Sequence, residues 1–174
     1  MIPAQEIHDL KGALEKSFGQ FIEVLSSVPG EQLNLAPFDG SWTPAQVATH
    51  IILATDGVPD AVTGPTSRAH DAFLVKIRPW WEDYKQKFSS PEVLFPDDTP
   101  RDKQFLLNEL RRVCEKDIRI AAAQDLSATC LDMELPTIGY LTRYEWLHFI
   151  EMHVRRHLHQ LKNIKKRLAG ERTT

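Results

Sequence analysis

The chain has 174 residues, of which 42% are hydrophobic and 26% are charged, an ordinary composition for a folded globular protein. Its formal net charge of −3 excludes a general electrostatic attraction to nucleic acid, and no run approaches the ~18 apolar residues that a membrane-spanning helix needs. The two cysteines show no CxxC spacing and the N-terminus lacks the apolar core of a signal peptide, so we expect a cytoplasmic protein with a single domain over residues 1–174.

The first predicted helix is amphipathic and runs from about Ala4 to Val28, where Pro29-Gly30 ends it. Its apolar residues recur at steps of three and four, which is the period of a helix face. They are Ile7, Leu10, Leu14, Phe18, Phe21, Leu25 and Val28.

The second predicted helix follows a turn-rich loop and begins after Thr43, which is a favourable N-cap. Pro44 suits the first helical position, and Gln46 completes a capping box. His50 lies on the apolar stripe of this helix, so we expect its imidazole to face the core. The other stripe residues are Val47, Ile51, Ala54 and Val58.

A long crossover is predicted between this helix and the next long one. Glycines and prolines loosen the chain over residues 57–68, and a short third segment over 69–88 contains Pro79, which we expect to break or kink it. We interpret the aromatic residues of this segment as packing rather than as a surface on which a ligand stacks. Residues 89–100 form a proline-containing connection.

The third long helix is predicted to be capped by Thr99-Pro100 and to run to about Gln124. Cys114 lies on its apolar stripe and is interpreted as a small core residue. Residues 125–141 are predicted to be irregular, because only short runs such as Thr129–Leu135 alternate at all as a strand would.

The last predicted helix is the longest and runs from Thr142 to Gly170. Thr142 and Glu145 form a capping box, cations crowd the C-terminal half, and Gly170 is a natural stop. Two histidines, His153 and His157, lie one turn apart on its apolar stripe. The other stripe residues are Trp146, Ile150, Leu161, Ile164 and Leu168.

Four long helices with apolar stripes predict an all-α fold, a four-helix bundle with a long crossover between the second and third main helices. Histidines at i and i+4 are spaced so that one helix can offer two ligands to one ion, and His50 adds a third imidazole from another helix. Because a buried imidazole nitrogen is costly to leave unpaired, the pattern predicts a divalent metal site of His50, His153 and His157.

Three neutral imidazoles leave at least one coordination position open, which is typical of catalytic rather than structural zinc sites. A metal there would lower the pKa of a water or a thiol and present it as a nucleophile. Imidazole ligands suit zinc, nickel, iron and copper, so the sequence does not specify the ion, although zinc and nickel are the first candidates.

Other polar residues of the last helix are weaker candidates. We expect His148 and His159 at the surface or beside the site, and Glu151 to point away from the stripe. The sequence contains no HExxH, so a glutamate base on this helix is not expected. Gln160 lies one turn after His157 and either hydrogen-bonds within the site or covers core packing.

Two segments resemble the motifs of the DinB-like superfamily. The second-helix segment is SWTPAQVATHIILATDG, and the last-helix segment is GYLTRYEWLHFIEMHVRRHLHQLKNI, with its Gly-x-Leu-Thr, Glu-Trp-Leu and His-x-x-x-His-x-x-Gln patterns. The resemblance implies a four-helix bundle, a metal bound by His50, His153 and His157, and a homodimer. Its members include thiol-dependent S-transferases that use low-molecular-weight thiols, a thiol-dependent isomerase, and proteins labelled as metal-dependent hydrolases.

Two functions of different classes therefore stay open. One is a metal-dependent enzyme, a thiol S-transferase or a hydrolase, acting on a small-molecule substrate, with a low-molecular-weight thiol as a candidate partner. The other is a metal-binding bundle without turnover, for sensing, storage or partner binding. A cavity beside an open metal position favours the enzyme, and a ligand shell completed by protein favours the alternative. Residues 57–100 match no motif, so the substrate is not specified.

Overall fold

Helices dominate the computed structural model, which describes residues 2–86, Phe88 and residues 91–170. The helices in this part of the chain are α1 (Ala4–Ser26), α2 (Pro44–Ala54), α3 (Leu74–Trp81), α4 (Lys103–Ala123) and α5 (Arg143–Leu168). The strands are β1 (Thr63–Gly64), β2 (Thr129–Leu135) and β3 (Gly139–Thr142), and short 3₁₀ turns lie at Gly30–Gln32 and Glu92–Leu94. None of the described helices is long and apolar enough to cross a membrane.

The four long helices form the predicted bundle, because α1 and α2 each pack against both α4 and α5. Fully buried aromatic and aliphatic side chains fill the space between them, each contributing about 1.5–3 kcal/mol by burial. They include Phe18, Phe21, Leu110, Leu147 and Leu161. Residues 55–102 make the predicted long crossover from α2 to α4.

Both predicted capping boxes are present. The Thr43 hydroxyl accepts from the Gln46 backbone N–H at 3.1 Å, and the Thr142 hydroxyl accepts from the Glu145 backbone N–H at 3.2 Å. At the other end of α5, Gly170 has a φ of 77°, the left-handed conformation expected at a helix stop. Local sequence signals therefore fix where α2 and α5 begin and where α5 ends.

The predicted start of α4 at Thr99-Pro100 is wrong. This helix begins at Lys103 after Asp102, whose carboxylate accepts from the Phe105 backbone N–H at 2.8 Å. Aspartate is a stronger N-cap than threonine, so the later of two possible caps is used. The first helix also ends slightly earlier than predicted, at Ser26.

The prediction that residues 125–141 are irregular is also wrong. Strands β2 and β3 form an antiparallel hairpin with a register shift between Thr129 and Glu134, and β1 pairs with β2 from the crossover. Within β2 only Cys130 is buried, which explains why the hydrophobic alternation of this strand is weak. The sheet joins the crossover to the segment that leads into α5.

Of the third predicted segment, Lys87 lies outside the described residues, and among the others only α3 is helical, ending two residues after Pro79. Phe73, just before α3, and Trp81, its last residue, pack against a second, smaller core between α3, the sheet and α5. The buried members of this core are Ile77, Cys130, Leu141, Trp146 and Met152. Of the predicted connection 89–100, Ser89 and Ser90 lie outside the described residues.

A buried ion pair fastens the crossover to the start of α5. The Glu145 side chain is fully buried and accepts two hydrogen bonds from the Arg68 guanidinium, at 2.6 and 2.7 Å. It also accepts from the backbone N–H groups of Phe73 at 2.7 Å and Thr142 at 2.9 Å. Every oxygen of this carboxylate is therefore paired, which is the condition under which a buried charge is tolerated.

A second buried carboxylate, Asp117 on α4, is not paired. Neither of its oxygens has a hydrogen-bond partner among the described residues, and the nearby Gly57 N–H donates to the Thr55 carbonyl at 2.8 Å. Burial raises the pKa of Asp117 to about 8, because the charged form loses its hydration, although the charge of Lys116 opposes the shift. At neutral pH this group is therefore mostly protonated.

Candidate metal centre

The three predicted histidines converge at one point between α2 and α5. One candidate ligand nitrogen from each of His50, His153 and His157 lies within 4.8 Å of the other two. Packing of α2 on α5 brings the His50 ring centroid 5.1 Å from that of His153 and 4.6 Å from that of His157. The first two side chains are buried, and His157 is partly exposed.

Hydrogen bonds orient two of these imidazoles. Nδ1 of His50 lies 2.9 Å from the backbone carbonyl oxygen of Leu94, and Nδ1 of His157 lies 2.6 Å from Oε1 of Gln160. Because both partners are acceptors, each Nδ1 carries the hydrogen and donates it, which leaves the lone pair on Nε2. Gln160 therefore hydrogen-bonds within the site, which is the first of the two roles that the sequence left open for it, the other being to cover core packing.

The inner nitrogens of the cluster fit a cation. Nε2 of His50 lies 3.1 Å from Nε2 of His153. Two lone pairs at this distance repel, so a hydrogen or a metal ion must lie between the two atoms. The nitrogens of two imidazoles bound to one tetrahedral zinc are about 3.3 Å apart, given bond lengths of about 2.0–2.1 Å. The donor set and its spacing thus fit a divalent metal.

The imidazoles are neutral at physiological pH without help from a metal. Burial lowers the pKa of His50, lowers that of His153 well below its ordinary value, and lowers that of His157 to about 3. The neighbouring imidazoles lower the last two further, because two positive rings this close would repel. Protons therefore do not compete with a metal for these nitrogens near neutral pH.

Aromatic rings flank the cluster on two sides. The Trp42 ring lies 5.0 Å from the His50 ring and stacks on the His157 ring at 6.3 Å. On the other side the His153 ring lies 5.2 Å from Trp81 and 5.9 Å from Phe149. The contacts of Trp42 and Trp81 could not be predicted from the sequence, because aromatic residues in a loop and a crossover carry no spacing that relates them to a histidine on another element, whereas Phe149 lies one turn before His153 on the same helix.

The remaining candidates lie outside the cluster. His148 packs edge-on against Tyr144 with ring centroids 4.6 Å apart, and its Nε2 is buried without a partner among the described residues. His159 is exposed, as expected. Glu151 is buried rather than solvated, and it accepts from the Arg155 guanidinium at 2.8 Å. Its carboxylate is thus engaged in an ion pair.

A cleft of about 430 Å³ lies elsewhere, at the edge of the sheet. It is lined by residues of β1, the turn after it and the turn before β2, among them Thr63, Pro65 and Asp125. None of the three histidines lines it. Within the cluster, only the His157 side chain is partly exposed.

Comparisons with known proteins agree with this fold. The model of the DinB superfamily matches residues 13–161. The structure is similar to that of YfiT from Bacillus subtilis, with a TM-score of 0.62 and 14% sequence identity, over 99% of this chain and 92% of that chain. YfiT is described as a probable metal-dependent hydrolase with an unusual four-helix bundle topology. At this identity the likeness shows the fold alone. No curated protein matches the chain.

Proposed function

This chain belongs to the DinB superfamily, and from that premise we propose that it is a metal-dependent enzyme in which His50, His153 and His157 hold one divalent ion. The observation that carries the proposal is the convergence of three neutral imidazoles from two helices, with candidate ligand atoms within 4.8 Å of one another. A chain that only needed to fill its core would have no reason to bury three such groups face to face.

The protein's part in the reaction is to hold the imidazoles that bind the metal in a fixed orientation. Donation from Nδ1 of His50 to Leu94, and from Nδ1 of His157 to Gln160, fixes each ring with its Nε2 lone pair directed inward. A bound divalent ion supplies a Lewis acid that makes a water or a small thiol nucleophilic at neutral pH. Trp42 and Trp81 border the cluster and limit the entry of bulk water.

Water and a low-molecular-weight thiol are the two candidate nucleophiles, for a hydrolase and a thiol S-transferase respectively. The description of YfiT supports the hydrolase. Replacing the native ion with cobalt separates the two. A sulfur-to-metal charge-transfer band on addition of a small thiol supports the transferase, whereas its absence together with turnover of an ester or amide supports the hydrolase.

A metal-binding bundle without turnover is the alternative. Partial exposure of His157 supports the enzyme, because a substrate has one side from which to approach the ligands. If cobalt protein binds no thiol and turns over none of a panel of esters and amides, the non-catalytic function takes the place of the enzyme. The homodimer implied by the family resemblance stays a prediction, which sedimentation velocity tests.

The metal itself is tested first. We expect protein purified without a metal-affinity tag to contain one divalent ion per chain, with zinc or nickel as the first candidates. Elemental analysis measures this directly. Protein that contains no metal, and that takes up neither zinc nor nickel when they are added, would refute the proposed function.

A further inference from the structure

Arg156 lies at the rim of the histidine cluster. It directly precedes His157 on α5, and its guanidinium carbon is 5.7 Å from the ring centroid of Trp81 and 4.7 Å from that of Phe88. The Trp81 ring in turn lies 5.2 Å from the His153 ring. One positive charge is therefore held against the aromatic side of the candidate metal centre.

The partners of Arg156 position its charge without neutralising it. Its guanidinium donates to the backbone carbonyls of Trp81 at 3.2 Å, Asp83 at 3.0 Å and Gln86. No carboxylate of residues 2–86, 88 and 91–170 forms an ion pair with it. Burial lowers its pKa although Asp83 and Tyr84 act to raise it, and an arginine in this position still remains charged at neutral pH.

The neighbouring Arg155 provides a contrast. Its guanidinium donates to Glu151 at 2.8 Å and to Glu82 at 2.9 Å, so two carboxylates balance its charge. Adjacent arginines on one helix therefore have opposite surroundings. The paired one ties α5 to the end of α3, and the other lies against Trp81 and Phe88 with two of its five N–H donors without a described partner.

Among the described residues, no carboxylate belongs to the histidine cluster itself. The groups that shift the pKa of His153 and His157 are burial, the other imidazoles, Gln160 and Arg156, and no carboxylate is among them. A divalent ion held by three neutral ligands keeps its full charge. With such an ion bound, the ion and Arg156 together would make the site positive, and it would attract an anion.

Exposed aromatic rings form the border of this positive site. Phe95 meets Trp42 edge-on with centroids 6.0 Å apart, and Phe88 stacks on Trp81 at 4.8 Å. Phe88 and Phe95 remain 43% and 52% exposed. Large apolar surfaces that stay exposed beside converging polar groups are typical of a site that binds the apolar body of a ligand.

We propose that the metal centre takes an anionic substrate with an apolar or aromatic body, and that Arg156 is the residue that recognises its negative charge. The Trp42–Phe95 and Trp81–Phe88 pairs form the surfaces on which the apolar part lies. This inference rests on the proposed function and names the substrate class of the same site.

The test compares three probes by titration calorimetry: phenylacetate, its neutral isostere phenylacetamide, and acetate, which lacks the apolar body. We expect phenylacetate to bind at least about tenfold more tightly than either of the others, because a charge-assisted hydrogen bond and ring burial act together. In Arg156→Gln the preference for phenylacetate over phenylacetamide falls about tenfold. Arg156→Lys keeps most of the preference because it keeps the charge.

Arg155→Gln is the matched control and leaves the preference unchanged, since that arginine is already neutralised. Circular dichroism and thermal denaturation establish that each variant is folded. Equal loss in Arg156→Gln and Arg156→Lys would mean that the residue only holds the crossover, and it overturns the proposal. So does equal affinity for phenylacetate and phenylacetamide in the wild type.

Zinc-loaded and metal-free protein are both titrated, and metal content is measured on the same samples. The charge preference and its dependence on Arg156 are expected in both forms, more strongly with zinc. Protein that fails to load zinc refutes the proposed function, while the preference measured without metal still decides the inference. Protein that loads zinc but shows no charge preference refutes the inference alone.

Discussion

The start of α5 and its middle both bury polar side chains against neighbouring elements, but they satisfy them in opposite ways. At the start, Glu145 is met by Arg68 and by two backbone N–H groups, so opposite charges and donors complete one another within the protein. In the middle, three imidazoles meet chiefly one another, and the lone pair of His50 Nε2 faces His153 Nε2 3.1 Å away. Either a ring hydrogen of His153 or a bound cation can lie between these two nitrogens.

The difference separates a polar group that holds the fold from one that binds a ligand. A complete buried network adds rigidity and needs nothing more, whereas an incomplete one is costly unless something binds there. Asp117 shows a third outcome, because its unpaired carboxylate takes up a proton instead. Four substitutions test this comparison.

Removing an imidazole should affect metal binding far more than folding. We expect His157→Ala to lose metal binding completely, because two ligands remain, while the metal-free variant stays folded on the burial of the surrounding apolar residues. Metal content and urea denaturation measure the two effects. His159→Ala, an exposed histidine on the same helix, is the control. Global unfolding of the His157 variant at room temperature would mean that the metal is structural.

Breaking the hydrogen-bond network of Glu145 should affect folding far more than metal binding. We expect Glu145→Gln to lower the free energy of unfolding of metal-free protein by about 3–5 kcal/mol, because Arg68 loses its counter-charge and an amide N–H2 must face other donors. Asp56→Asn, which breaks a half-exposed pair with Arg112, should cost no more than about 1 kcal/mol. Similar losses in the two variants would contradict the distinction between buried and exposed pairs.

The unpaired carboxylate should make stability depend on pH. The pKa of Asp117 is about 8 in the folded chain and near its ordinary value when unfolded, so the folded chain holds an extra proton between about pH 4 and pH 8. The contribution of Asp117 to the free energy of unfolding therefore falls as pH rises through this window, whereas the histidines with lowered pKa contribute in the opposite direction.

Asp117→Asn removes this contribution, and its stability relative to wild type should rise by on the order of 5 kcal/mol between pH 4 and pH 8. Denaturant unfolding at a series of pH values measures it. Glu115→Gln, at an exposed carboxylate on the same helix, is the control and should follow the wild type. An Asp117 variant that also follows the wild type at every pH would show that the carboxylate ionises freely.

The smallest effect is expected from the outer partner of a ligand. Gln160→Ala removes the acceptor 2.6 Å from His157 Nδ1, so the ring loses its fixed tautomer and metal affinity should fall about 10–100-fold. Competition with a chromophoric chelator measures the affinity. Asn163→Ala is the control, because it removes a similar amide–imidazole contact, to His159, on the exposed face. Unchanged affinity in Gln160→Ala would show that packing alone orients the imidazole.

The sequence predicted those features that are encoded within a few neighbouring residues, and not those that depend on contacts between distant segments. The caps at Thr43 and Thr142 and the helical spacing of His153 and His157 are written within a few residues, and the structure contains them. The Leu94 carbonyl that orients His50 could not be predicted. It comes from a 3₁₀ turn 44 residues away, and any residue type offers a carbonyl.

Buried charges were missed for a related reason. Asp117 lies among the apolar residues of the α4 stripe, and a charged side chain in a helix is normally assigned to the exposed face. Its burial follows from the packing of α4 in the bundle, which the sequence pattern of one helix does not contain. Arg156 likewise has an ordinary place in a basic run, and only the fold shows that its charge is unpaired while that of Arg155 is not.

The hydrogen bond from His50 to Leu94 makes ion binding and the ordering of the crossover thermodynamically linked quantities. If the ordered Glu92–Leu94 turn strengthens ion binding by a certain free energy, then the bound ion stabilises the ordered turn by the same free energy. Backbone amides of that turn should thus exchange hydrogen with solvent more slowly in metal-loaded protein. By the same reciprocity, a substrate that displaces the turn weakens the hold on the ion, so occupancy of the site and mobility of the crossover cannot change independently.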